Sequence, residues 1–186
     1  KNPLIRQQEL GYASGFEEPD IEKRVHPENL SEEASSIISI AIAYPSKMKD
    51  APQSVKGARR GIFARASWGI DYHTVLREKL ALLELYILSH IPDAKLRSMV
   101  DTGELSDRAV AERAGIGWSA KNCAIITPEF GSYVYLGEMI TSIPFESSEQ
   151  MEDQCGDCRL CLDVCPTGAL IEGGQLNAQR CIAFIT

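Results

Sequence analysis

The chain has 186 residues, a hydrophobic share of 44% and a formal net charge of -7. That length and composition fit one main globular domain with a small appendage and exclude a disordered chain. The acidic balance argues against a general nucleic-acid-binding surface, and no apolar run is long enough to span a bilayer.

In chain order, Pro27 to Ser36 reads as a short acidic helix, and Ile37 to Tyr44 as a buried, β-branched strand ended by Pro45. The segment from Lys47 to Gly61 carries Pro, Gly, Ser and charge, so it reads as a loop. Lys56, Arg59, Arg60 and Arg65 cluster around a glycine, either as a solvated surface or as a ligand site. Asp71 is placed to cap a long helix through about His90, with Val75, Leu76, Leu80, Leu83 and Ile87 as its buried stripe. Leu96 to Val100 is a short strand ending at Asp101. Ser106 to Ala114 is a helix stopped by Gly115 and Gly117. Cys123 to Thr127 and Tyr133 to Thr141 are strands joined by a Pro-Glu-Phe-Gly turn, expected to share one sheet with Ile37–Tyr44. Ser147 to Asp153 is a polar, acidic linker.

Beyond the linker, Cys155, Cys158, Cys161 and Cys165 stand in one run, and Pro166 follows the last of them. This is the spacing of bacterial iron–sulfur ferredoxins, in which three closely spaced thiolates hold one cubane cluster and the fourth reaches a second. Structural zinc sites usually pair two separated hooks instead, which makes a zinc knot the weaker rival. Two cubane clusters need eight thiolates, whereas the chain holds six cysteines. Cys181 is placed to join Cys165 on the second cluster, and Cys123, in an apolar stretch, reads as a buried thiol. The missing ligands, the start at Lys1-Asn2-Pro3 and the end at Phe184-Ile185-Thr186 lead us to expect a fragment of a longer protein. Unpaired thiols and oxygen-sensitive clusters fit a reducing cytoplasm.

Three further motifs fall at strand ends. Asp101-Thr102-Gly103 follows a strand directly, so a rigid element holds a carboxylate toward a pocket; the plain alternative is a helix cap, although Ser106 and Asp107 lie closer to that helix start. Asp107 reads as capping or charging it. Ala114 to Asn122 offers two glycines for close backbone approach, then Lys121 and Asn122 as a cation and an amide. Trp68 to His73 ends in a histidine that reads as a packing or capping residue rather than a metal ligand.

Taken together, R-A-S-W-G-I-D-Y-H, V-D-T-G-E-L-S-D-R-A-V-A-E-R-A-G-I-G-W-S-A-K-N and C-x-x-C-x-x-C-x-x-x-C-P-T-G-A-L resemble the epoxyqueuosine reductases. The resemblance runs from about residue 11 to Cys181. It implies an α+β, nitroreductase-like cobalamin-binding domain over 1–146 and a small, truncated ferredoxin-like module over 147–186. It further implies cobalamin, two 4Fe–4S clusters held by Cys155, Cys158, Cys161, Cys165 and Cys181, and a monomer fed by an external electron donor. The reaction it implies is reduction of epoxyqueuosine to queuosine in a tRNA anticodon, with Asp101 as proton donor. Arg24, Ala64, Asp101, Lys121, Ile125 and Leu136 are its implied cobalamin contacts. The other classes are a ferredoxin-type electron carrier and a cobalamin-dependent reductase of another small substrate; a carrier has no need of the Asp101 and Lys121 apparatus. On this reading Asp101, Lys121 and the loop around Arg65 should converge on one cavity.

Overall fold

Helix capping and strand alternation account for most of the elements in this computed structural model, which describes residues 2–31, 33–44, 53–61, 63–172 and 174–185. Asn2 caps α1 (Pro3–Glu9) by accepting the Leu4 N–H at 2.9 Å, and Asp20 does the same for α2 (Ile21–Val25). The acidic helix expected from Pro27 to Ser36 shrinks to a single 3-10 turn, Pro27–Asn29. The serines that follow favour turns, and the Ser35 N–H pairs with the Thr141 carbonyl at 2.9 Å, drawing the segment to the sheet. There β1 (Ser36–Ala43) begins.

Asp71 caps the long helix α3 (Tyr72–His90), accepting the His73 N–H. Leu76, Leu80 and Ile87 are its buried stripe, flanked by partly buried Leu83. A strand, β2 (Leu96–Met99), and a short helix, α4 (Asp107–Arg113), follow. Next come a two-stranded ribbon of β3 (Trp118–Ser119) with β4 (Ile125–Ile126), and the long strand β5 (Val134–Thr141).

The main sheet is antiparallel in the order β1-β5-β2, so β5 is its centre and β1 an edge. This corrects one expectation. The strand around Cys123–Thr127 lies outside that sheet, and β2 takes the third place. Cys123 adopts a left-handed backbone (φ 61°) in a tight turn closed by its N–H on the Ala120 carbonyl, which folds the segment back onto Trp118–Ser119. Gly117 makes the ribbon possible, since a Cβ there would stand 2.2 Å from the Ile126 carbonyl oxygen.

Alternation along the strands sends side chains to two cores. Ile38, Ile40, Ile42 and Met139 pack on α3, while Ile37, Ile140, Met99 and Val110 pack together on the side of α4. The sheet is thus covered on both faces. The cysteine segment adds α5 (Leu160–Asp163), a ribbon of β6 (Leu170–Ile171) with β7 (Gln175–Leu176), and α6 (Ile182–Ile185). The N-terminal segment reaches this part of the chain: the Ala178 N–H bonds the Tyr12 carbonyl at 2.8 Å, and the Phe16 and Phe184 rings lie 6.1 Å apart. Among the described residues no helix is long and apolar enough to cross a membrane.

Candidate functional site

β2 ends in a sharp turn that carries Asp101. The Thr102 N–H returns to the Val100 carbonyl at 2.6 Å, leaving Asp101 at the centre with a left-handed backbone (φ 56°). A non-glycine residue in that region stores strain, which surrounding contacts must hold. One such contact is the Asp101 N–H, which donates to Asp107 Oδ2 at 3.0 Å. Asp107 does stand in the first turn of α4, but it also fixes the Asp101 turn, a role the spacing did not reveal. Burial pushes its carboxyl above the usual range, and the bond from Asp101 opposes that shift.

His73 and Tyr72, on the first turn of α3, meet Asp101 from the other side. His73 Nδ1 is 2.7 Å from Asp71 Oδ1, and Nε2 is 3.4 Å from Asp101 Oδ2. The ring is thereby aimed by one carboxylate at another. Burial, and then Asp101, push the Tyr72 hydroxyl well above the ordinary phenol range, so it stays a donor. Its ring stacks on Tyr135 at 4.4 Å, and Tyr135 stacks on Tyr44 at 4.5 Å. The Tyr135 hydroxyl donates to the Ala66 carbonyl, tying the loop after residue 63 to the sheet. Tyr72, Tyr135 and Tyr44 come from three elements, so no local spacing could have announced the stack.

Of these groups, Asp101, Asp107, Tyr72 and Tyr135 face an open cavity of about 1210 Å³. Arg24, Asp101 and Leu136 line it, as do Ala66, Tyr72 and Met99. Arg24 is half-buried: burial draws its pKa down and Glu17 opposes this. Ala64, Lys121, Ile125 and Arg65 are not on this wall; of the expected convergence, the loop around Arg65 does reach the cavity beside Asp101 through Ala66, whereas Lys121 does not. The Arg65 guanidinium lies 5.9 Å from the centre of the Tyr133 ring. Lys56, Arg59 and Arg60 are exposed. Ile125 is buried in its ribbon.

Lys121 has a different destination. Its ammonium donates to the carbonyls of Gly156 and Cys158, the latter at 3.0 Å, and so pins the first turn of the cysteine run. Arg108, on the cavity wall, bonds the Cys123 carbonyl, and the Cys123 thiol donates to the Gly174 carbonyl at 3.3 Å. Burial pushes that thiol's pKa up; Arg108 opposes this, while Cys161 and Cys181 add to it. Arg108 thus reaches from the cavity wall to the Cys123 turn, and Lys121 reaches from that turn to the cysteine run.

All six cysteines are free thiols. The Cys158 N–H closes on the Cys155 carbonyl at 2.9 Å, the tight turn expected of a two-residue gap. Hydrogen bonds, led by the Leu170 backbone, bring the Cys165 thiol down to about 7, toward the thiolate form in which cysteine binds metal. Among the described residues no three His, Cys, Asp or Glu side chains are drawn into one metal-holding group.

Comparison with known proteins agrees with this layout. Residues 24–102 match a family described as "Epoxyqueuosine reductase QueG, DUF1730", and residues 154–186 match a "4Fe-4S double cluster binding domain". The chain is 69% identical over 186 residues to the epoxyqueuosine reductase of Bacillus subtilis, covering 100% of this chain and 48% of that protein. It is 67% identical to that of Bacillus anthracis, again over its full length and 49% of the relative. The chain therefore spans about half the length of the curated relatives it matches. Among solved structures, an epoxyqueuosine reductase with a tRNA-Tyr epoxyqueuosine-modified stem loop superposes with a TM-score of 0.91 at 70% identity, over 97% of this chain and 48% of that one. The Bacillus subtilis structure with its aspartate catalytic loop swung out of the active site gives 0.90 at 68% identity, over 97% and 48%.

Proposed function

The chain belongs to the epoxyqueuosine reductase family, and from that membership we propose that it is the cofactor- and cluster-bearing part of an enzyme that reduces epoxyqueuosine to queuosine in a tRNA anticodon. Residues 1–146 form the catalytic unit, nitroreductase-like and cobalamin-binding, and 147–186 the ferredoxin-like module. An external donor supplies electrons to two 4Fe–4S clusters, in a monomer working in the cytoplasm. Cysteines kept for clusters rather than paired in disulfides favour such a reducing compartment.

The observation that carries this reading is the Asp101 turn: a strained carboxylate on the wall of a large cavity, flanked by His73 and by the hydroxyl of Tyr72. Opening an epoxide requires its oxygen to take up a proton, and a positioned carboxyl group can deliver one. His73, held by Asp71, fixes where the Asp101 carboxyl points. The cavity fits a corrin in kind: it exceeds the usual drug-sized pocket of about 300–1,000 Å³ and mixes apolar with charged walls. Arg24 and Leu136 would contact it there, and Ala64, Lys121 and Ile125 are proposed contacts from the adjoining segments. Bound cobalamin would supply reduced cobalt as nucleophile or electron donor. Cys155, Cys158 and Cys161 would ligate one cluster, and Cys165 and Cys181 belong to the other. An electron carrier alone would leave the Asp101 cavity without a use.

The test uses the full-length protein, reconstituted without oxygen and given cobalamin, strong reductant and a stem loop bearing epoxyqueuosine. Nucleoside mass spectrometry should find queuosine. A protein loaded with both cofactors that leaves the epoxide intact would overturn the assignment of substrate.

A further inference from the structure

One acidic side chain is unused by this account. Glu138, at the middle of β5, is 0% exposed. Among the described residues neither of its carboxylate oxygens has a hydrogen-bond partner, nor does the buried hydroxyl of Ser39, which the strand register sets directly opposite on β1. From β2, Met99 is its cross-strand neighbour. Residue alternation turns Glu138 to the same face as Ile140, toward α4, and its partner Met99 lies two residues before Asp101.

The cations of β2 and α4 have other partners or other surroundings. Arg97 on β2 bonds Glu104 at 2.6 Å and the Leu30 carbonyl, and Arg108 on α4 bonds the Cys123 carbonyl. On α4, Glu112 accepts from the Ser119 N–H, and Arg113 lines two smaller cavities behind the helix. β1 carries no charged residue. The charged groups felt most by Glu138 are the carboxyls of Asp107 and Asp101. A buried carboxylate without donors and facing like charges favours its neutral, protonated form. Burial first, then those two neighbours, push it up to about 8.

The proposed reaction makes use of such a group. Turning an epoxide into an alkene breaks both C–O bonds, consumes two electrons and two protons, and releases one water. The electrons come from the external donor through the clusters. Asp101 carries a single proton, which goes to the oxygen as the ring opens; a second must arrive before that oxygen leaves as water. We infer that Glu138 is the store of this second proton, released toward the cavity-lining carboxyls of Asp107 and Asp101. Asp107 lines the cavity and accepts the backbone N–H of Asp101. Glu138 is refilled from solvent after turnover. This inference rests on the epoxide-reducing reading of the site.

Glu138→Gln, nearly equal in shape, tests it in the full-length protein, with Glu138→Asp as the variant that keeps an acid. Infrared difference spectra of cobalamin-free protein should show a protonated carboxylic C=O band at neutral pH that titrates away near pH 8 and is missing in the Gln variant. Single turnovers on the epoxyqueuosine stem loop under strong reductant should slow by roughly 10²-fold in Glu138→Gln, with a larger solvent deuterium isotope effect, and recover in part in Glu138→Asp. An ionised Glu138 at neutral pH, or a Gln variant with wild-type rate and pH profile, overturns the store while leaving the family reaction standing. A fully loaded wild-type protein with no activity overturns both.

Discussion

On the proposed reading Asp101 is the proton donor, and its replacement separates proton delivery from binding. Asp101→Asn keeps the shape and can still meet His73, but it cannot act as an acid. Its single-turnover rate should fall by roughly 10²–10⁴-fold with cobalamin and cluster content unchanged, as read by stopped-flow under excess reductant. A near-normal rate would mean another group is the donor. Glu138 allows a second prediction at this scale, read in stability. Its carboxyl holds a proton up to about pH 8 when folded, against an ordinary value of 4.5. Between those values the unfolded chain has released the proton and the folded chain has not, so the unfolded state binds fewer protons. Stability therefore falls as pH rises through this window, with a slope on the order of 1.4 kcal/mol per pH unit, and levels off above it. Urea midpoints of Glu138→Gln should lose that slope and exceed wild type at the alkaline end. An unchanged slope would place the titration elsewhere.

At the level of elements, the β3–β4 ribbon shows how a short motif acts through packing. Its glycines resemble a ligand loop in sequence, yet Gly117 is there because the Ile126 carbonyl leaves no room for a Cβ. Gly117→Ala should destabilise the protein by about 1–3 kcal/mol, the usual range for overpacking, and lower the thermal midpoint accordingly. Because Lys121 and Cys123 follow on the same turn, the variant should also hold iron less firmly after reconstitution. Wild-type stability would show that the ribbon is loose enough to yield. α4 acts at the same level: its first turn supplies Asp107 to the strained Asp101 backbone, so helix and Asp101 turn are held as one piece.

Across the whole molecule, the cavity and the cysteine run are joined by few side chains, chiefly Lys121 on the Cys155–Cys158 turn and Arg108 on the Cys123 loop. The two sites should therefore fail independently. Cys158→Ala in the intact protein should abolish turnover and reduce iron content while cobalamin still binds, seen as corrin absorbance after gel filtration. Turnover by an iron-free variant would refute the electron relay. Loss of cobalamin together with iron would show that the two parts fold as a unit.

Local chemistry in the sequence was enough to determine α3, since Asp71 and the spacing of Leu76, Leu80 and Ile87 act within a few turns of one helix. It likewise determined β1, β2 and β5 through apolar runs, the ferredoxin-type cysteine spacing, and Asp101 as a carboxylate at a strand end. The tertiary structure decided which segments pair, because backbone hydrogen bonds carry no residue label: the run at Cys123–Thr127 and that at Leu96–Val100 both read as strands, and only the latter enters the main sheet. It sent Lys121 to the cysteines rather than to the cavity, a choice made by a long side chain across 35 residues of chain. It also buried Glu138. In an alternating strand a glutamate ordinarily faces water, and only the packing of helices on both faces of the sheet turned that position into an enclosed acid.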